Sequence, residues 1–388
     1  MKIVIAPDSF KESLSALKVA TVIENGFKEV FPHATYVKCP IADGGEGTVV
    51  TMVEATNGEI YHLDVIGPLG SSVQAFYGLS QNKQQAFIEM AAASGLELVP
   101  IELRNPLLTT SYGTGELIKA CLDTGVKQII IGIGGSATND GGAGMLQALG
   151  AKLLDSHGQQ IKLGGQALAD LASIDVSTMD SRIKACQFSI ACDVSNPLIG
   201  KNGASVIFGP QKGATNEHVE ILDKNLEHFA DIIKRDLHVE VHYIAGAGAA
   251  GGMGAALLAF LKAELKPGFD IIAQTLNLES HMVGANLVIT GEGRLDSQSL
   301  NGKVPFGVAQ LARKHKIPVI AIVGSLGDDL SHLQQYGIDS AFSILHKISS
   351  LKEALNNAES NLFNCTKNIA NTLNIKIDNT NWNNSFKI

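Results

Sequence analysis

The chain has 388 residues, and 45% of them are hydrophobic. Because a single hydrophobic core stops growing at roughly 250 to 300 residues, we expect two domains. The 30 basic and 38 acidic side chains give a formal net charge of -8, and neither sign forms a long run. This balance argues against nucleic acid or an anionic membrane as a partner.

Cysteine usage and the apolar segments indicate the compartment. The five cysteines, an odd number without a C-x-x-C pair, argue against a disulfide framework and against a thiolate zinc site. Residues 1–6 read as a strand and lack the basic start of a signal peptide. The longest apolar runs, at residues 128–133 and 253–261, are well short of the roughly 20 residues that a membrane span needs. We therefore expect a cytoplasmic protein.

The first predicted elements are a strand, a polar loop and a helix. The strand covers residues 2–6 and the loop residues 7–13, and apolar side chains then recur at helical spacing until Pro32. These side chains are Ala16, Ala20, Ile23, Phe27 and Val30.

Similar units follow along the chain. Strands are predicted at residues 36–42, 128–133, 287–290 and 318–323, each followed by a loop rich in glycine or polar residues. This alternation is typical of α/β folds with a parallel sheet, which bind ligands at the carboxyl ends of their strands.

The regular alternation of predicted strands and helices is lost between about Gly67 and Gly284, where hairpin-like segments such as residues 64–78 occur. This stretch is interpreted as a separate domain. Residues 376–388 are rich in asparagine, and we expect them to form a loosely ordered tail.

Two glycine-rich segments, residues 132–137 and 246–251, match the dinucleotide fingerprint G-x-G-x-x-G/A. Asp155 lies at about the distance of a ribose-binding acid from the first, so an NAD-dependent dehydrogenase of a small hydroxy acid is one alternative. Against it, the first loop continues with polar side chains that suit a polar ligand, and the alanines around the second favour close helix packing. A P-loop is absent because Val304 follows Gly302 and Lys303 where serine or threonine is required, and the protein-kinase motifs are absent too.

Polar residues after the first two strands are candidates for binding anions and cations. Ser9, Lys11 and Ser13 precede the first helix, where hydroxyl groups and free backbone N–H groups bind anions. The alternative is that Ser9 or Ser13 only caps the helix. Asp43 and Glu46 share a turn with three glycines, and two carboxylates so close favour a metal ion or a cationic partner over a solvated turn.

Further candidates follow at later strand ends and helix starts. Asp193 follows an apolar strand, where it has either a function or the role of an N-cap. Thr114 belongs to a hydroxyl-rich helix start suited to a phosphate or a carboxylate. The polar glycine loop contributes Gly134, Gly135, Ser136, Asn139, Asp140 and Gly141. The segment after residue 290 contributes Arg294, Asp296 and Lys303, for which an internal salt bridge is the alternative.

Seven of these segments form an ordered series of motifs. They are Ala6–Ser13, Ala42–Gly47, Ser111–Glu116, Gly134–Gly142, Ala191–Val194, Phe208–Gly213 and Thr290–Asp296. The series closely resembles the bacterial type-1 glycerate kinase family from Met1 to about Leu373. That family commonly has glycine at the position of Glu12.

The resemblance implies a kinase that uses ATP and Mg²⁺ and phosphorylates D-glycerate, giving 2-phosphoglycerate rather than 3-phosphoglycerate. It also implies two α/β domains, a flavodoxin-like parallel-sheet domain made of both chain ends (residues 1–66 and 285–375) and an inserted second α/β domain (residues 67–284). The sequence itself does not fix which hydroxyl group attacks, so 3-phosphoglycerate stays open as the product. Monomer and homodimer both stay open, and a non-catalytic protein that binds sugar acids is a further alternative.

Roles for the residues follow from side-chain chemistry. Asp193, Lys11 and Asp43 are the predicted catalytic residues, with Asp193 near the attacking hydroxyl group. Lys11 and Lys303 are predicted to face phosphates, and Ser136 to Asp140 to face glycerate or the triphosphate. Asp43, Glu46 and Asp296 are the predicted metal ligands.

Overall fold

The computed structural model describes residues 1–295, 304–327 and 333–375. Within these ranges the strands are β1 (Lys2–Ile5), β2 (Thr35–Lys38), β3 (Glu59–Ile66), β4 (Ser72–Leu79), β5 (Gln85–Glu89), β6 (Gln128–Gly132), β7 (Lys152–Leu154), β8 (Ser173–Asp175), β9 (Gln187–Ala191), β10 (Glu264–Lys266), β11 (Leu287–Thr290), β12 (Arg294–Leu295), β13 (Val319–Val323), β14 (Ser325–Leu326) and β15 (Ser340–Ser343). The predicted tail, residues 376–388, lies outside the described residues.

The α-helices of the same ranges are α1 (Ala16–Lys28), α2 (Thr48–Ala55), α3 (Ala91–Ser94), α4 (Tyr112–Asp123), α5 (Ala143–Ala148), α6 (Ala204–Phe208), α7 (Asn216–Leu237), α8 (Ala249–Leu261), α9 (Gly268–Thr275), α10 (Leu278–Met282), α11 (Val304–Lys314), α12 (Leu351–Asn356) and α13 (Ala358–Leu373). Short 3₁₀-helices lie at Leu96–Leu98, Ile101–Leu103, Gly165–Asp170, Ser181–Ala185, Pro210–Lys212 and Leu333–Tyr336.

The chain divides into two compact units. Unit one consists of residues 1–40 and 277–388, and unit two of residues 41–276. The boundaries predicted at residues 67 and 284 therefore both lie too far along the chain. The reason for the first is strand pairing, because β3 pairs with β4 along its whole length and belongs to the sheet of unit two.

Unit one contains a five-stranded sheet in the order β15-β13-β11-β1-β2, and all of its pairs are parallel. Counted along unit one alone, this order is 2-1-3-4-5, the order of flavodoxin-like folds, which confirms the predicted class. The apolar spacing of α1 buries Ala20, Ile23 and Phe27 against this sheet. A methyl group on Gly26 would lie 2.8 Å from Thr366 Cγ2, so α1 packs closely on α13.

Unit two contains a six-stranded mixed sheet in the order β10-β9-β6-β5-β4-β3. The first four strands of this order are mutually parallel, and the last two add antiparallel pairs at one edge. Its parallel strands are short buried runs such as residues 128–132, which is the pattern expected of a sheet covered on both faces. The loops after β6 and β9 leave the same edge because Gly132 and Ala191 are paired residues.

Candidate functional site

A cleft of about 250 Å³, lined by both polar and apolar groups, lies in unit two at the carboxyl ends of β6 and β9. Its walls are formed by the loops after these two strands, by the turn that starts at Asp43 and by the start of α8. The lining residues include Asp43, Gly134, Gly135, Ser136, Asp193 and Lys212. The predicted ligand edge of the sheet is therefore the edge at which the cleft forms.

Asp193 opens onto this cleft. Its Oδ1 accepts a hydrogen bond from the backbone N–H of Gly268, at 3.0 Å, at the start of α9. The pKa of Asp193 is raised to about 6, mainly by partial burial in the cleft wall. The hydrogen bond from Gly268 lowers this pKa, and the carboxylates of Asp43 and Asp270 raise it. A carboxylate with this pKa is suited to accept a proton near neutral pH.

The turn with Asp43 is held against the sheet by glycine packing and by a buried carboxylate. Asp43 Oδ1 accepts from the N–H of Gly45 at 2.9 Å, and a methyl group on Gly44 would lie 2.6 Å from Ala191 Cβ. Glu89, buried at the end of β5, accepts from Val49 N–H at 2.8 Å in α2. Burial raises the pKa of Glu89. This residue was not among the predicted site residues, although a carboxylate at the end of an apolar strand is a signal that the sequence contains.

The glycine loop after β6 faces the cleft only at its beginning. Gly134 and Gly135 are exposed to the cleft, and Gly135 has a φ of 71°. Ser136 is buried at the cleft wall, where its Oγ accepts a hydrogen bond of 2.7 Å from Lys212 Nζ. These three predicted ligand-binding residues lie together at the cleft.

Lys212 is a cleft residue that was not among the predicted site residues. Its side chain is 2% exposed, and its Nζ donates to Ser136 Oγ and, at 2.6 Å, to the carbonyl oxygen of Thr138. The pKa of Lys212 is lowered to about 7 because burial disfavours the ammonium form more than the charge of Asp140 favours it. Its motif, Phe208–Gly213, was a sequence signal that could have identified it.

Asp140 does not face the cleft, contrary to prediction. It is 0% exposed, and its Oδ2 accepts from the N–H and the hydroxyl group of Ser111, both at 2.8 Å. The N–H groups of Gly142 and Gly144 also donate to it, at 3.1 and 3.3 Å. Burial raises its pKa while these donors lower it. Asp140 therefore holds the start of α5 against the loop before α4.

Three other predicted ligand residues also point into the interior. Asn139 Nδ2 donates to Ser205 Oγ at 2.9 Å, and Thr114 Oγ1 shares a hydrogen bond of 2.8 Å with Ser94 Oγ. A methyl group on Gly141 would lie 2.7 Å from the Phe229 ring, so this glycine serves packing. All three residues are buried and do not line the cleft, so their contact with a ligand stays a prediction.

In unit one, the predicted residues lie at the carboxyl ends of β1 and β11, which are adjacent strands. Lys11 and Arg294 are exposed. Ser13 Oγ donates to the carbonyl oxygen of Phe10, and the helix cap is Ser15, so the alternative that Ser9 or Ser13 caps α1 is wrong. Asp296 and Lys303 lie outside the described residues.

Both fingerprint-like glycine loops have packing roles. A methyl group on Gly251 would overlap the carbonyl oxygen of Thr138, and one on Gly132 would overlap that of Gly44. Asp155 closes an exposed turn by accepting from the N–H groups of His157 and Gln159. These contacts explain Gly132 and Gly251 by packing, whereas Gly134 and Gly135 are exposed at the cleft.

Two absences hold for the described ranges. None of their helices has the length and apolarity required to cross a lipid bilayer. The same residues contain no group of three or more His, Cys, Asp or Glu side chains arranged to hold a metal ion.

Comparison with known proteins agrees with the ordered motifs. The model of the glycerate kinase family matches residues 3–374. A glycerate 2-kinase of Escherichia coli (strain K12) is 60% identical over 379 residues, which are 98% of this chain and 100% of that protein. A glycerate kinase of Bacillus subtilis (strain 168) is 55% identical over 370 residues, covering 95% of this chain and 97% of that protein.

The fold agrees as well. A crystal structure assigned to a glycerate kinase 2 from Salmonella typhimurium LT2 has a TM-score of 0.90 and 60% sequence identity with this chain. The match covers 96% of this chain and 98% of that one. The chain therefore belongs to the glycerate kinase family and is a phosphotransferase.

Proposed function

We propose that this protein transfers the γ-phosphoryl group of ATP to the 2-hydroxyl group of D-glycerate, giving 2-phosphoglycerate and ADP. The observation that carries the proposal is the cleft in which Asp193, with its raised pKa, faces the glycine loop of residues 134–136. The regiochemistry is supported by the 60% identical relative named glycerate 2-kinase. A role in organic-acid catabolism in the cytoplasm is part of the proposal and fits the free cysteines of the described residues.

Asp193 is the proposed general base. Its carboxylate accepts the proton of the attacking hydroxyl group while the new O–P bond forms and the bond from the γ-phosphorus to the ADP oxygen breaks. The hydrogen bond from Gly268 N–H leaves its second oxygen for this proton and fixes the direction of the carboxyl group. General-base assistance of this kind contributes roughly a hundredfold to ten-thousandfold to a rate.

The glycine loop and the basic residues have proposed roles in binding anions. The exposed backbone of Gly134 and Gly135 allows close approach of a ligand oxygen, since neither residue has a side chain in the way. Ser9, Lys11, Ser13 and Arg294 are proposed for phosphate contact through hydroxyl groups and positive charge. Lys303 belongs to the same proposal from its sequence position alone.

The cleft residues fit a magnesium ion bound together with nucleotide phosphates. Mg²⁺ in kinases is usually held by one or two carboxylates plus phosphate oxygens rather than by a cage of protein ligands. Asp43 lines the cleft, Glu46 is on the same turn, and neighbouring carboxylates raise the pKa values of both Asp193 and Glu89. This local negative charge favours a cation. When bound, Mg²⁺ would neutralise charge on the phosphates, with Asp43 and Glu46 as the proposed ligands. Asp296 belongs to the same proposal from its sequence position alone.

Phosphorus NMR of the enzyme with ATP, Mg²⁺ and D-glycerate tests the proposal most directly. The expected result is a 2-phosphoglycerate signal that grows as the γ-phosphate signal declines. A 3-phosphoglycerate signal would overturn the regiochemistry only. Absence of any phosphoglycerate would overturn the proposed reaction. An increase of NADH absorbance with glycerate and NAD would instead support the dehydrogenase.

A further inference from the structure

The Lys212 side chain is a buried cation without a close counter-ion. Among the described residues no carboxylate oxygen lies within 4.0 Å of its Nζ, and the two acceptors that it contacts are the neutral oxygens of Ser136 and Thr138. Burial of an ammonium group without an opposite charge is costly, and the lowered pKa of Lys212 reflects that cost.

The surroundings of Lys212 do not supply the missing charge. The Asp140 carboxylate attracts it from the loop before α5 but is already occupied by donors from Ser111, Gly142 and Gly144. Asp43 and Asp193 line other parts of the same cleft. Gln211, the neighbour of Lys212 on its own 3₁₀-helix, also lines the cleft and is uncharged.

An ammonium group has three N–H donors, and two of those of Lys212 are used inside the protein. Since Lys212 also lines the cleft, the third donor remains for a ligand. An oxyanion that arrived there would form a charge-assisted hydrogen bond and stabilise the protonated form of the side chain.

We propose that Lys212 binds an oxyanion of a substrate from the wall of the cleft and takes up a proton from the solvent when that anion binds. The inference rests on the proposed function, in which both substrates are anions. The shared chemistry is an oxyanion, which is either the glycerate carboxylate or a phosphate of the nucleotide.

Titration calorimetry of the full-length protein tests this inference. D-glycerate and Mg-ATP are titrated separately near pH 7 in two buffers of different ionisation enthalpy. With the ligand that contacts Lys212, the wild type should take up about half a proton, because a group with a pKa of about 7 is half neutral at that pH. The Lys212→Met variant should lose this uptake and bind that ligand roughly ten- to a hundredfold more weakly.

A matched control is Lys224→Met, which removes an exposed lysine from α7 in the same unit. It should retain the affinity and the proton uptake of the wild type. If Lys212→Met binds both ligands within about twofold of the wild type, with unchanged proton uptake, the inference is wrong.

If Lys212→Met does not fold, the wild type and Asp193→Asn together decide the question, because Asp193, with a pKa of about 6, also titrates in this cleft. The proton uptake of the wild type should increase between about pH 6 and pH 8, as the free amine loses its proton. Absence of uptake with both ligands, in a protein that makes phosphoglycerate, overturns the role of Lys212 and leaves the proposed reaction standing. Uptake that Asp193→Asn retains, without any phosphoglycerate from the wild type, supports Lys212 as an anion-binding residue and overturns the reaction.

Discussion

Asp193 is accessible from the cleft, and its surroundings disfavour the charged carboxylate. Both properties suit a general base. Replacement by asparagine keeps the shape and an acceptor for Gly268 N–H but removes the base. We expect Asp193→Asn to lower kcat by about a hundredfold or more. In the wild type, kcat/KM should fall as the pH drops below about 6, where Asp193 of the free enzyme becomes protonated. Steady-state kinetics across the pH range measures both effects.

Asp223 provides a matched control for this substitution. Its carboxylate also accepts from a glycine N–H, that of Gly200, and partial burial also raises its pKa, but it does not line the cleft. Asp223→Asn should therefore retain nearly normal turnover. If Asp193→Asn did the same, Asp193 would not be the general base.

The same substitution has an expected effect on stability with opposite sign. Because the folded-state pKa of Asp193 is about 6 instead of 3.8, the folded protein binds its proton more tightly than the unfolded chain does. Its contribution to stability therefore decreases as pH increases from about 4 to about 6 and stays lower above that range. Asp193→Asn should have a higher Tm than the wild type at pH 7, and the difference should shrink toward pH 4. A lower Tm at pH 7 would contradict this account.

Glu12 occupies a left-handed backbone conformation, with a φ of 64°, just before α1. A side chain in this region costs about 1 to 2 kcal/mol, and glycine avoids most of that cost. We expect Glu12→Gly to stabilise the protein by about 0.5 to 1 kcal/mol, measured by denaturant unfolding. Glu102→Gly, at an exposed residue without positive φ, should instead destabilise it slightly. Equal effects of the two changes would rule out backbone strain at Glu12.

At the scale of elements, the start of α9 determines where the two cleft carboxylates lie. Gly268 donates its N–H to Asp193, and a methyl group on it would overlap the carbonyl oxygen of Asp43. Gly268→Ala must therefore move the Asp43 turn, the helix, or both. We expect a loss of about 1 to 3 kcal/mol in unfolding free energy and at least about a tenfold decrease in kcat.

Gly125→Ala is the control for this change. A methyl group on Gly125 has no neighbour within 4 Å, so this variant carries only the cost of its positive φ. It should lose stability but retain kcat. If Gly268→Ala retained kcat as well, the contact between α9 and the Asp43 turn would not control the cleft geometry.

At the scale of elements, the sequence predicts the bounds of helices and strands better than it predicts which loop residues line the cleft. Helix α1 follows from the spacing of its apolar residues, and the strand at residues 287–290 has the predicted bounds. The polar loop after β6 was predicted as one ligand-binding run, and only its first part, up to Ser136, lies at the cleft. Chain direction after Ser136 is decided by packing against α7 and α8, which the loop sequence does not contain.

At the scale of the whole molecule, unit two is inserted between the two parts of unit one. Each unit has its own buried cluster, which is the expected solution for a chain longer than one core can serve. The loss of regular alternation in the sequence located the insertion, but it placed the first boundary after β3. The local sequence pattern of β3 is compatible with either unit, and its pairing with β4 places it in unit two.

The sequence by itself determined the α/β class, the ligand edge at the carboxyl ends of the strands and the resemblance to glycerate kinases. These conclusions depend on local periodicity and on the order of motifs, which are properties of the chain. The tertiary structure decided which polar residues face the cleft. Lys212 meets Ser136 across 76 residues, and Asp140 meets Ser111 across 29. Burial and pKa depend on such distant partners, so they emerge only when the chain is folded.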